Sequence, residues 1–222
     1  MGYRSAYCNT GSNVTASGTD SAYCNTGQNV TASGNNSAYC NTGDFVTALG
    51  INSAYCNTGF RITTLGSNSG HFNTGFGLTA SGYQSAYFNI GGDTTTSGYK
   101  SAYCNIGNQV AAFGTNSAYC NTGNQVTASG YGSAYCNTGS NVTAIGYNSA
   151  RQNTANNVIV LGINAGNSNG FSGAFIVANS ELPSYVDHAT AVATITIGAG
   201  AVAGNTYFYH NQTTNSVGTV RL

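Results

Sequence analysis

The sequence predicts an all-β protein. Residues 1–166 form a parallel β-roll, a solenoid of about ten 16-residue two-strand coils, and a small β-rich segment follows at 167–222. Three observations predict this: a 16-residue period that never slips, two glycine columns in each period, and apolar residues at fixed phases.

Written from its serine, the unit reads S-A-Y-C-N-T-G-x-x-V-T-A-x-G-x-x. It starts at Ser5, Ser21, Ser37, Ser53, Ser69, Ser85, Ser101, Ser117, Ser133 and Ser149 without insertion or deletion. Two stretches, around A-Y-C-N-T and V-T-A-x, read as extended. Each ends in glycine, one column running from Gly11 to Gly139 and the other from Gly18 to Gly162. A corner that needs positive φ, or that brings backbones close, explains glycine there. Two strands and two corners describe one flattened coil. Coils stacked about 4.8 Å apart give a rod of roughly 48 Å. No single coil can bury its apolar side alone, so stability must come from stacking.

Strand alternation assigns the side chains. Val14, Val30, Val46, Val110, Val126 and Val142, with Ile62, Leu78 and Val158 at the same phase, point inward with the alanines two residues on. On the other strand the same rule sends Ala6, Cys8 and their equivalents inward. The cysteine column holds Cys8, Cys24, Cys40, Cys56, Cys104, Cys120 and Cys136, with Phe72 and Phe88 at the same phase. A column that accepts Cys or Phe reads as an interior apolar slot. A disulfide ladder would need paired partners, which the odd count opposes. Successive thiols would also form a line rather than a tetrahedron, so no metal is expected.

The opposite parity puts Tyr7, Tyr23, Tyr39, Tyr55, Tyr87, Tyr103, Tyr119 and Tyr135 on one outer face. Thr15, Thr31, Thr47, Thr63, Thr79, Thr95, Thr127 and Thr143 lie on the other. Two residues after these threonines come Ser17 and Ser33, but also Leu49, Leu65 and Ile145, with Phe113 and Leu161 at the same phase. Either the parity is wrong on that strand, or this face is buried against another chain. The second is favoured, because a thin coil cannot hide both sets. The unvarying column from Asn9 to Asn153 reads as an amide ladder that satisfies turn backbone, an architectural role.

After Ser149 the pattern decays: Arg151 and Gln152 replace Tyr and Cys, and Ala155 replaces Gly. Residues 158–163 read as a last coil and 164–172 as a joint. Strands are expected at 174–178, 189–197, 205–211 and 216–222, around a segment 180–188 containing Pro183 and a turn at 198–204. A tail of about 50 residues is too small to bury much by itself and should lean on the rod or on partner chains.

Composition narrows the function. Charged residues are 5% of the chain, five basic against five acidic, so there is no basic stripe for nucleic acid. No apolar run is long enough for membrane insertion. The opening residues enter the repeat at once, without an apolar secretory segment, so export would need lysis, a dedicated machine or a signal already removed. Catalysis on polysaccharide would need paired carboxylates about 5–9.5 Å apart. The acids are Asp20, Asp44, Asp93, Glu181 and Asp187, and only the last two are close in sequence, beside His188. No catalytic residue and no cofactor is expected. The N-x-T triplets at Asn13, Asn29 and Asn141 are by-products of the repeat, and Asn211 begins another.

The pieces VTALGINSA (46–54) and VTAIGYNSARQNT (142–154) resemble the head repeats of trimeric autotransporter adhesins of the YadA type. They are still more similar to the related β-roll repeats of fibre and virion proteins of phages and large DNA viruses. The resemblance covers about 2–166. It implies a left-handed roll and side-by-side association of three chains. The segment with Leu182, Pro183 and Tyr185, and later Ala203-Gly204-Asn205-Thr206-Tyr207, is similar to a recurrent ending of virion surface proteins. The adhesin repeats are usually shorter and lack the Tyr-Cys pair, and no coiled-coil stalk or membrane anchor is seen, so an intact autotransporter is not expected. Free thiols suit assembly in a reducing cytoplasm.

The resulting expectation is a non-enzymatic fibre or spike protein of a virion or extracellular surface. It would be a homotrimer, with end-to-end assembly also open, and would attach to a host-surface glycan or protein. The tyrosine column supplies contact area. Phe60, Arg61, His71 and Phe76, with Phe45, Phe72 and Asp93, are irregular positions of the repeat that interrupt a monotonous surface, as candidate interaction residues. The alternative is ice binding through the threonine ladder, since 16-residue Tyr/Ser/Thr repeats also resemble ice-nucleation proteins. Against it, Ala111 and Ile159 interrupt that ladder. A filament subunit or a polysaccharide-active enzyme ranks lower.

Overall fold

The structure is a computed structural model that describes residues 2–178, 206–211 and 216–221. No helix occurs among them. An 11-stranded parallel sheet runs in sequence order through Val14–Ser17, Val30–Ser33, Val46–Leu49, Ile62–Leu65, Leu78–Ser81 and Thr94–Ser97. It continues through Val110–Phe113, Val126–Ser129, Val142–Ile145, Val158–Gly162 and Phe175–Ala178. Every strand pairs in register with its equivalent one repeat away, as in Val30↔Val46 and Thr31↔Thr47. The chain is therefore an all-β parallel solenoid of about 10 turns.

Each strand is short because its boundaries are conformational. It starts after a residue in the left-handed region, such as Asn29 at φ 55°, and stops at a glycine, such as Gly34 at φ 131°. Between these, β-branched Val and Thr suit a pleated surface with one buried face. Val30 and Ala32 are buried while Thr31 and Ser33 are exposed, and the other strands repeat that alternation. The strand parity read from the sequence is correct. Val30, Val46, Val110, Val126 and Val142 form the core with the alanines, whereas Val14, in the first coil, is only half-buried.

The other side of the coil departs from expectation. The A-Y-C-N-T stretch is not a strand along its length but a run of turns. Only Phe88–Asn89, Cys104–Asn105 and Cys120–Asn121 pair as two-residue parallel strands. Alternate residues sit in the left-handed region: Asn36 at φ 52°, Ala38 at 51° and Cys40 at 50°. Short i→i−3 bonds accompany them, Tyr39 N–H to Asn36 C=O and Asn41 N–H to Ala38 C=O, both 3.4 Å. Under such a backbone side chains no longer alternate. Ser37 and Ala38 point in, Tyr39 and Cys40 lie half-exposed, and Asn41 points in.

This corrects the placement of the thiols. Cys8 is exposed, and Cys24, Cys40, Cys56, Cys104, Cys120 and Cys136 are half-exposed. Phe72 and Phe88, at the same phase, are 40% and 42% exposed. The slot inside belongs to asparagine. Asn41 Nδ2 donates to Asn25 Oδ1 at 2.7 Å and to Gly43 C=O at 2.8 Å, and this double bond recurs from Asn25 to Asn153. One amide thus joins two coils and secures its own corner. The glycine of that corner is dictated by the next coil, since a Cβ on Gly27 would lie 2.0 Å from Gly43 O.

The inner serine closes the coil across the core: Ser21 Oγ donates to Ala32 C=O at 3.0 Å. Core volume is balanced locally. Thr64 replaces the usual alanine, and Gly70 replaces the alanine facing it, where a Cβ would stand 2.4 Å from Thr64 Cγ2. Ser53 meets the extra hydroxyl of Thr64 at 2.7 Å.

The roll also continues past 166. Residues 164–172 are not a joint but the turn side of a further coil, in which Asn169 Nδ2 donates to Asn153 Oδ1 at 2.9 Å. Strand Phe175–Ala178 pairs with Val158–Gly162 in the same register, Val160↔Ile176. Strands Thr206–Asn211 and Ser216–Arg221 pair antiparallel, Thr206↔Arg221 to Asn211↔Ser216. The expectations at 180–188, 189–197 and 198–204 lie outside the described residues.

Candidate interaction surfaces

The turn side carries a continuous aromatic stack. Tyr7, Tyr23, Tyr39, Tyr55, His71, Tyr87, Tyr103, Tyr119 and Tyr135 follow one another with near-parallel rings. Centroids are 4.9 Å apart for Tyr23–Tyr39 and 5.0 Å for Tyr119–Tyr135. Repetition without insertion forces this, because each coil places its ring directly over the last. The stack changes what the column can offer. Ring faces cover one another, leaving edges and hydroxyls to solvent, so the tyrosines are not a platform for stacking a sugar. Neighbours also raise the pKa of Tyr39, Tyr55, Tyr103, Tyr119 and Tyr135, chiefly by desolvation, which keeps these phenols neutral.

His71 belongs to this stack rather than to a separate patch. Its ring lies 4.8 Å from Tyr55 and 4.6 Å from Tyr87, with Phe72 edge-on at 4.2 Å. It is 8% exposed, and its Nδ1 has no hydrogen-bond partner. Burial lowers its pKa to about 4, so the imidazole is neutral at physiological pH.

Phe60, Arg61 and Phe76 do come together, at the corner after the first glycine column. The Phe60 and Phe76 rings stack at 5.6 Å, and the Arg61 guanidinium sits 5.7 Å from the Phe60 centroid. Gly92 underlies the second ring, since a Cβ there would strike Phe76 at 2.4 Å. Phe45 is exposed at the same corner, and Asp93 follows Gly92.

A second irregular place was not foreseen. Gly132 stands where other coils carry Asn, Gln, Asp, Lys or Arg. The gap is a shallow notch of about 300 Å³ bordered by Tyr131, Tyr135, Tyr147, Asn148 and Arg151. Tyr131 and Tyr147 stack at 5.1 Å, and Arg151 lies over Tyr135 at 5.3 Å. A glycine in a polar column was the available signal.

The flat outer face of the main sheet holds two columns. One is mostly threonine, with Thr127 paired to Ala111 and Thr143 to Ile159. The other alternates serines with exposed Leu49, Leu65, Phe113 and Ile145, at 37%, 54%, 43% and 46% exposure. Two of the described acids are engaged in bonds within the roll. Asp20 takes a two-point bond from Arg4 at 2.7 and 2.8 Å, and Asp44 accepts the Gln28 N–H at 2.8 Å. Glu181 and Asp187 lie outside the described residues. Comparison with protein-family models, curated proteins and solved structures finds no match to this chain.

Proposed function

We propose that the chain is a non-enzymatic structural rod, a fibre or spike component of a virion or cell surface, that associates with copies of itself through the outer face of its main sheet. The observation that carries this reading is the line of large apolar side chains on that flat face. Leu49 and Leu65 are direct register neighbours, and Phe113 and Ile145 flank Ser129. Soluble monomers rarely leave several large apolar side chains aligned on one flat face in water. Three copies would cover it, as the resemblance to trimeric β-roll repeats implies, and would leave the turn side outward. The Phe60–Arg61–Phe76 cluster and the Gly132 notch are then where the outward surface could recognise a host glycan or protein.

Native mass by light scattering in reducing buffer tests the assembly. A value near three times 22.6 kDa is expected. The double substitution Leu65→Ser with Phe113→Ser should lower it toward one chain while the β-sheet circular dichroism stays unchanged. A wild-type monomer would remove the basis of the reading.

One observation favours a second reading, ice binding. The threonines stand exposed and in register on that same face, Thr15↔Thr31 and Thr31↔Thr47. One face cannot be both covered by copies and open to ice. A monomer that slows ice growth would support this reading; a trimer that does not would dismiss it.

A further inference from the structure

The thiols form a ladder on the outside of the turn side, and their spacing bears on oxidation. Cys104 and Cys120 are direct register partners in extended backbone, and the bonds Cys24 N–H to Tyr7 C=O and Cys56 N–H to Tyr39 C=O hold the left-handed Cys24 and Cys56 one coil from Cys8 and Cys40. Side chains repeat from coil to coil at about 5 Å, as the 5.0 Å Tyr39–Tyr55 stack in the adjoining column records. A disulfide accepts Cα···Cα of about 4.4–6.8 Å, so coil neighbours are within range. Pure translation gives Cβ···Cβ nearly the same value, above the roughly 3.5–4.5 Å that a relaxed disulfide prefers. Bonds between neighbours can therefore form but are strained, and strained disulfides are the labile, readily reduced ones. Within its run each inner thiol has a neighbour one coil away on either side, so closure proceeds from the run ends, where Cys8 and Cys56 have one neighbour each.

We propose that this ladder is a reversible oxidation site, closed by low-molecular-weight disulfides into coil-to-coil bonds Cys8–Cys24, Cys40–Cys56 and one of Cys104–Cys120 or Cys120–Cys136. One thiol attacks the reagent as thiolate and forms a mixed disulfide, releasing one reduced reagent thiol. The neighbouring thiolate then displaces the second. Two protein thiols lose two electrons and two protons, and one reagent disulfide gains them as two thiols. Phe72 and Phe88 divide the ladder into runs of four and three, so seven cysteines close three bonds and leave one thiol. Desolvation raises the pKa of Cys24, Cys56, Cys104, Cys120 and Cys136, so closure should be slow at neutral pH and faster in mild alkali.

Counting alkylatable thiols by intact mass in a titration with oxidised glutathione tests this, with peptide mapping to assign partners. Wild type should fall from seven thiols to one, and excess reduced glutathione should restore all seven. In Cys120→Ser, Cys104 and Cys136 stand two coils apart, out of bonding range, so both should stay alkylatable while the two bonds of the other run still close. Circular dichroism of the reduced variant should match wild type, since that column also accepts phenylalanine. The proposal fails if seven thiols persist, if only glutathione adducts form, or if Cys104 bonds Cys136 in the variant. It fails equally if reduced glutathione cannot reopen the bonds.

Discussion

The two sides of the coil obey different rules. On the sheet side the exterior positions drift freely: the column after threonine holds Ser33, Leu49, Ser81, Phe113 and Ile145, and the strands keep their register throughout. On the turn side the serine and asparagine columns hardly change. The sheet needs only β-compatible residues and an apolar inner face, which many sequences supply. The turns bond coil to coil through their backbone, as in Ala38 N–H to Ser53 C=O and Cys40 N–H to Tyr23 C=O, and need particular side chains for the carbonyls that remain. Buried Asn supplies the corner carbonyl with a donor and buried Ser reaches across the core to the strand, each at a fixed atom. Exterior variation marks where a side chain answers to solvent or a partner, and constancy marks where it answers to the backbone.

The sharpest way to break this contrast is Asn89→Ala. It removes the bonds to Asn73 Oδ1 and Gly91 C=O, and strips Asn105 Nδ2 of an acceptor. At about 1–3 kcal/mol for each buried group left unpaired, a loss of roughly 3–5 kcal/mol is expected in denaturant unfolding. An equally disruptive change on the sheet exterior, Ser33→Leu, should stay within about 0.5 kcal/mol.

His71 supplies a pH-dependent version. Its folded pKa of about 4 lies below the ordinary 6.5, so the unfolded chain binds more protons between those values. The stability due to the neutral ring is present above pH 6.5 and is lost as pH falls toward 4. For a ring this buried the loss is on the order of 3 kcal/mol. His71→Tyr, which restores the column, should abolish that fall in melting temperature. A variant that stays as acid-sensitive as wild type would place the titrating group elsewhere.

The smallest expected effect tests the left-handed backbone directly. Cys40 is half-exposed at φ 50°, a region that asparagine tolerates better than most residues. Cys40→Asn should leave stability unchanged or raise it by about 0.5 kcal/mol in thermal melts. A core cysteine would make the same change costly.

The period, both glycine columns and the inward parity of Val30 and Ala32 were legible because they rest on spacing and on strand geometry, which residue types announce. The turn side was not, because nothing about Ala38 or Cys40 announces positive φ; both types usually avoid it. Alternation applied there sent Cys40 inward and left the asparagine merely helpful, when it fills the core. A column of cysteine replaced by phenylalanine fits an outer surface as well as an inner slot. The asparagine was the better clue, since a polar residue that never varies is one with all its bonds committed. Likewise Asn169 and Ile176 continue the period past 166, hidden only by the loss of the Tyr-Cys signature.

The asparagine ladder also has a direction. Each amide donates toward the lower-numbered coil and accepts from the higher-numbered one, Asn25 to Asn9 and so on to Asn169 to Asn153. Unlike the alternating dipoles of paired strands, these all add. The core of the rod thus contains a column of aligned amide dipoles, each polarising the next, as peptide units do along a helix. The rod is electrically polar along its axis.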